Sequence, residues 1–549
     1  MISNLLITFI YLGLMFAAGI LFSRNIKNTS DYFLTGRSVP WYWIMGAVWA
    51  TNIGFLHGYL AHGGAAYEWG LIQANFEWFQ GPFGYILTGI FFIAFYWRAG
   101  IYTVPQFLER RYGSTLRTIY SLAWIIIFIV TIAAELYLGG MFLKNIIHLP
   151  FWPSVFILTF VVGTYMLLGG LGAAIMMEFV QFVIMMLGTM PLLFILLNMV
   201  GGFSGIKQVL INQWGVSPQY FTVLPDIHHP YGPGPWIILG QCLVITIGWC
   251  AGHQSMVQRN LGARSLYDAK LGYVVAAIPK TLGAFLYIVP MIAAPIIFSR
   301  FGIFVEKSDA AYGKLITNLL PAGMLGLFIA GLLSAGLSSI GSVLNSASTM
   351  LIKDFYEKFL VKGKADHHYF IAGRVATLLV ILASLLLVPV VLKVYLIMWL
   401  EQTLLAMVLG PFMAVLILAI FWKRANTPGS LAGFLTGGIF AVLLQQVFHV
   451  NIFFQISWWS FVVSLVVTIA VSLLTSPPAP EKTEGITWES NFEKLVGQIA
   501  EDRAEKIALK VEEVQSQTRV IVKPAWYLNL KYWATAILLV QLVLLLYFG

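Results

Sequence analysis

Apolar runs long enough to cross a bilayer recur from one end of this sequence to the other, and no other feature limits its fold so severely. A helix needs about 20 mainly apolar residues to span the hydrocarbon core. Such runs lie near residues 4–23, 41–64, 71–97, 118–146, 151–168, 173–200, 235–256, 270–299, 320–352, 369–391, 394–422, 428–450, 456–475 and 528–548. They give about 14 predicted spans, numbered here in that order. Only 10% of the residues are charged, against about 25% in a soluble domain, so the expected fold is an all-α polytopic membrane protein. Several runs exceed the bilayer thickness and are expected to tilt, break or extend into water. The first, Leu5 to Phe22, lacks the basic start and small-residue cleavage site of a signal peptide and is read as a retained span.

Orientation follows from lysine and arginine. With the N-terminus outside, the inner loops collect Arg24, Lys27, Arg37, Arg98, Arg110, Arg111, Arg117, Arg259, Arg264, Lys270, Lys353, Lys358, Lys362, Lys364, Arg374, Lys423 and Arg424. The outer loops keep Lys144, Lys207, Arg300, Lys307, Lys314 and Lys393. Both termini are therefore predicted outside the cell membrane, and the net charge of +9 needs no nucleic-acid partner. Cys242 and Cys250 share one apolar segment and form neither a disulfide framework nor a metal cluster. Residues 476–529 break the pattern: SPPAPEKTEG leads into EKLVGQIAEDRAEKIALKVEEVQSQ. This reads as a cytoplasmic linker whose amphipathic helix lies on the membrane, or as a solvated tether to the last span.

Ionisable groups at the bilayer centre cost about 2.5–3.5 kcal/mol each and mark candidate sites. Here they are Glu77, Glu135, Glu178, Lys280 and Glu401, with His57 and His253 as titratable neighbours. Span two, IMGAVWATNIGFLHGYLAHGG, carries Thr51, Asn52, Gly54, His57 and Gly58 in mid-membrane. A helix broken there would expose carbonyls to a cavity, as transporters do at midplane ion sites; close helix packing through glycine is the alternative. Span nine, AGLLSAGLSSIGSVLNSASTMLIKDFY, sets Ser338 and Ser339 three and four residues after Ala335, on one helical face. Two hydroxyls with freed carbonyls make a neutral oxygen cage suited to sodium, whereas calcium sites carry carboxylates.

Six further strings, in order, carry a resemblance: TSDYFLTGRSVPWYWIMGAVWATNIG, FEWFQGP, AGIYTVPQFLERRYG, LLGGLGAAIMMEFVQ, CAGHQSMVQRNLGARS and GLSSIGSVLNSASTMLIKDFY. Together they resemble the sodium–solute symporter family, and within it the sodium/glucose cotransporter branch. The resemblance implies a leucine-transporter-like core of inverted five-helix repeats, at 41–200 and 235–425, with extra flanking helices. Around it would lie an N-terminal helix and loop (1–40), an extracellular loop (201–234), two further spans (426–475), the linker (476–529) and a last span (530–549). It implies one shared sodium site on the carbonyls of Ala50, Ile53 and Ala335 and the hydroxyls of Ser338 and Ser339. A second sodium, found in some members, would fall on Thr51, Gly341 and Glu178; Gly341 lacks the hydroxyl, so one sodium per cycle is expected.

The branch's sugar site maps onto Asn52, His57, Glu77, Lys280 and Gln402. Thr246 replaces an asparagine, and Trp249 replaces an inner-gate tyrosine. Phe76 is the opposite gate, and Glu178 lines the sodium exit. A carboxylate, an ammonium and amides suit a ligand rich in hydroxyls. The implied activity is sodium-coupled symport of a neutral, glucose- or galactose-like sugar by alternating access, with no obligate protein partner. The rival solutes on this scaffold are inositol, sialic acid, an amino acid, a monocarboxylate or choline, and a non-transporting sugar sensor would use the same residues. No metalloprotease or serine-hydrolase motif argues for an enzyme.

Overall fold

The computed structural model describes residues 2–23, 29–230, 232–394, 397–487 and 530–548. The predicted amphipathic helix of the 476–529 linker lies almost wholly outside these residues. The described chain is helical, its one extended pairing being a single bridge between Val39 and Ala263. Eleven helical stretches are long and apolar enough to cross a membrane, and a shorter apolar helix covers Leu530–Leu546. The count is lower than the fourteen predicted spans because some neighbouring spans adjoin without an intervening loop. Spans five and six are two helices within Phe151–Val200 that meet at a sharp kink at Gly170 (φ 51°, ψ −142°). Only glycine fits this bend, since a Cβ there would lie 2.5 Å from the Tyr32 carbonyl oxygen. Span two is not a continuous helix. It runs from Trp41 to Thr51, breaks, and resumes as Ala61–Trp69.

The helix Ala322–Met350, predicted span nine, packs along Phe151–Val200 and Ser114–Ile147. It continues as a π-helix to Leu360, one of the runs expected to outreach the bilayer. That extension is pinned at its base. Asp354 is buried and bound by Arg117 at 2.6 Å, and it accepts hydrogen bonds from Thr103 and Ser121 at 2.8 Å each. A charged extension held to two other helices in this way stays rigid where it leaves the apolar layer.

The turn Ser308–Ala310 sits on the second half of broken span two. Its Asp309 Oδ1 is enclosed without a hydrogen-bond partner, and burial, aided by the nearby Glu68 charge, pushes this carboxyl up to about 7. An unfolded aspartate ionises near 4, so between about pH 4 and 7 the unfolded chain releases a proton that the folded chain keeps. Stability from this group is complete below that window, falls as pH rises through it, and is level above. Asp309→Asn is expected to melt with the wild type at about pH 4 and several degrees higher at about pH 8. Equal melting at both pH values would contradict the assignment.

Candidate functional site

The break in span two organises the site. After Thr51 the backbone leaves the helix at Asn52 (φ −90°, ψ 1°), extends through Gly54, and is again non-helical at His57 and Gly58. Backbone polar groups freed inside a membrane need partners, and here they face Ser338, Ser339 and Glu135. The Ser338 hydroxyl lies 2.7 Å from the Ala50 carbonyl oxygen and 2.8 Å from that of Ala335. Ser339 donates to Glu135 Oε1 at 2.9 Å, while Glu135 Oε2 accepts from the Phe55 N–H at 2.8 Å. Ala50, Ile53, Ala335, Ser338 and Ser339 are all buried, at 1% exposure or less. The structure thus brings the Ala50 and Ala335 carbonyls to the Ser338 hydroxyl, and sets Ser339 and Glu135 against the break at Gly54 and Phe55.

Glu135 was predicted only as an intramembrane acid; its contact with the cage is legible only in three dimensions. The fit leaves no room at Gly54, where a Cβ would stand 2.1 Å from Glu135 Oε1 and 2.7 Å from Ser339 Cβ. Gly54→Ala is expected to destabilise the fold by about 1–3 kcal/mol and to remove sodium-dependent activity; melting curves in detergent and vesicle uptake measure both. An unperturbed variant would show that the break is looser than described.

A short distance along the same break lies a small polar cavity lined by Asn52, His57, His62, Phe76, Gln241, Ile245, Thr246, Trp249, Lys280 and Gln402. Every one of these residues is buried. Lys280 donates to Glu77 Oε1 at 2.7 Å, and His57 Nε2 meets the two carboxylate oxygens of Glu401 at 2.8 and 2.9 Å. Asn52 accepts from the Trp249 indole N–H at 3.2 Å and donates to the Tyr85 hydroxyl at 2.9 Å. Gln402 donates to Glu401 at 3.4 Å and Gln241 to Thr246 at 3.5 Å.

Aromatic rings border the cavity in two clusters. Phe76 packs against Phe453 and Phe454, and Phe453 against Trp399. In the second, Trp249 and His253 pack tilted with centroids 4.0 Å apart, with Trp124 against both. All the predicted substrate and gate residues therefore meet around one cavity, with Glu77 just behind Lys280. Sequence reading missed Glu401 as the partner of His57, and it missed Gln241 and His62. His62 stood in the quoted span-two string, five residues after His57, and its histidine character in mid-membrane was the available signal.

Glu178 lies on the stretch Phe151–Val200, which packs against the first half of the broken span. Its carboxylate is gripped by the Arg259 guanidinium at 2.5 and 3.1 Å, with both groups buried. Arg259 was predicted only as an inner-loop charge. At Gly341 a Cβ would come within 2.7 Å of the Tyr165 hydroxyl, which itself donates to the Leu337 carbonyl at 2.9 Å. The space where a serine hydroxyl would stand is occupied by a tyrosine.

Residues 32–437 match the model of the sodium:solute symporter family. The sodium/glucose cotransporter of Vibrio parahaemolyticus is 28% identical over 86% of this chain and 90% of its own length. Sodium/myo-inositol cotransporter 2 of Oryctolagus cuniculus is 29% identical over 86% of this chain and 77% of its own. The solved structure of a Na⁺-coupled sialic acid symporter in a substrate-bound outward-open state superposes with a TM-score of 0.76. It is 21% identical and covers 86% of this chain and 98% of that one, which establishes the leucine-transporter-like fold. The chain belongs to the sodium:solute symporter family, as a multi-pass membrane protein that couples solute symport to sodium.

Proposed function

We propose that this protein carries a neutral sugar or related polyol into the cell together with one sodium ion. The observation that carries the reading is the charge balance of the cavity. Histidines aside, its one lining cation is Lys280, and Glu77 holds that ammonium at 2.7 Å. A carboxylate solute would have to compete with Glu77 for the lysine, and choline would meet an ammonium where it needs an aromatic cage. The remaining polar atoms are amides, imidazoles and a hydroxyl, which suit a ligand of many hydroxyls. Relatives named for glucose and for myo-inositol, at 28% and 29% identity, support a polyol without choosing between the two.

Sodium is held by Ala50, Ile53, Ala335, Ser338 and Ser339. Holding the broken helix against span nine, it stabilises the form that accepts substrate. Phe76 gates the outer side and Trp249 the inner side, and the repeats 41–200 and 235–425 rock about the site, with both termini outside the plasma or inner membrane. Sodium leaves past Glu178 when Arg259 yields. The stoichiometry of one is supported by Tyr165 filling the space at Gly341 and by Arg259 neutralising Glu178. A potential of 100 mV supplies about 2.3 kcal/mol per charge and a tenfold sodium gradient about 1.4 kcal/mol, enough for roughly few-hundred-fold accumulation. The test is a solute panel in sodium-loaded gradients across reconstituted vesicles. Accumulation of glucose, galactose or myo-inositol, with sialic acid, amino acids, monocarboxylates and choline excluded, is the expected result. Accumulation of a charged solute instead would overturn the polyol reading.

A further inference from the structure

We propose that His62 is a direct substrate contact and helps determine which polyol this protein accepts. The inference rests on the polyol reading above. His62 follows the break, on the resumed helix Ala61–Trp69, and lines the same cavity as Asn52 and Lys280. It is 2% exposed, yet neither ring nitrogen has a hydrogen-bond partner within the protein. Its ring meets Phe76 edge-on, with centroids 4.8 Å apart, and lies 6.0 Å from that of His57.

Buried polar groups are ordinarily satisfied, and an exception calls for a cause. The two nitrogens of a neutral imidazole offer one donor and one acceptor, the complement of a hydroxyl that both accepts and donates. His57 differs in kind, because its Nε2 is committed to Glu401. Of the two histidines in the cavity wall, His62 is the one with both nitrogens open to a ligand. It has company: the side-chain oxygens of Gln241 and Gln402 line the same cavity, also without partners. Two open acceptors beside an open donor–acceptor pair form a hydrogen-bonding surface that the protein does not satisfy by itself. The competing role is packing, with the ring filling space against Phe76 and its nitrogens met by water.

These roles separate in transport kinetics. Radiolabelled D-glucose and myo-inositol uptake would be measured in vesicles containing wild type, His62→Leu or His62→Gln, with melting curves for each and with single-deoxy analogues of whichever probe is carried. His62→Leu is expected to raise the KM for the probe by about tenfold or more, leaving the sodium concentration for half-maximal uptake within about twofold, while His62→Gln recovers part of the loss. One deoxy analogue should be carried poorly by wild type and lose that handicap in His62→Leu, a coupling that packing alone would not produce. If His62→Leu fails to fold, His62→Gln and the analogue series on wild type carry the same comparison. Wild-type uptake with an unchanged KM in the variants, or with no hydroxyl coupled to position 62, overturns the contact and leaves the polyol reading standing. Wild-type uptake of neither probe removes the polyol reading, and this proposal falls with it.

Discussion

Glu77→Ala is expected to abolish uptake and destabilise the protein together, while the double variant Glu77→Ala with Lys280→Ala should recover the fold and not the transport. The reason is the burial of both partners: Lys280 is 2% exposed and Glu77 fully buried, and they meet at 2.7 Å. Removing one member of such a pair strands the other charge in a medium that cannot solvate it, at a cost of about 3–5 kcal/mol. Removing both cancels most of that penalty, because the desolvation that the pair had to overcome disappears too. Transport does not return, since the ligand loses both an acceptor and a donor. Melting curves of the two singles and the double form a thermodynamic cycle. A double variant as unstable as the sum of the singles would mean that the two groups do not act as a pair.

Ser338→Ala is the second large effect. Its hydroxyl reaches the carbonyls of Ala50 and Ala335 and so joins the broken helix to span nine at the cage. Without it, the Ala50 and Ala335 carbonyls lose the one hydroxyl proton they share, worth about 1–3 kcal/mol, and the ion loses an oxygen. Sodium-dependent uptake should fall by about 100-fold or more, with the sodium requirement shifted far more than the solute KM. Ser339→Ala should be as damaging to sodium dependence, because the proposed cage loses a hydroxyl and Glu135 loses the hydrogen bond that Ser339 donates. If either variant keeps the wild-type sodium requirement, the ion does not sit between these helices.

What the sequence disclosed and what it withheld divide along a physical line. Apolar length is a local property, so the spans were legible, including the break near Asn52 and Gly54, where polar and small residues interrupt a run that should be helix. The serines of span nine were legible for the same reason: helical spacing from Ala335 places them on one face. The boundary between spans five and six falls at Gly170 as expected, but the kink's conformation, a single residue at φ 51°, was not legible. Pairings between distant residues were hidden as well. His57 and Glu401 are 344 residues apart, and Arg259 meets Glu178 across 81; no periodicity links them. Each was visible as an ionisable residue and not as a partner. Glu135 shows this most sharply, since its carboxylate closes on the Phe55 amide and the Ser339 hydroxyl only once three separate helices have packed.

The most direct test of the account is tracer accumulation in reconstituted vesicles under an inward sodium gradient, against a potassium control and against Ser338→Ala. The account predicts that wild type concentrates a neutral polyol above its external level only with sodium, at one sodium per solute, and that Ser338→Ala does not. Equal accumulation in potassium, or sodium-driven accumulation undiminished in Ser338→Ala, would contradict it.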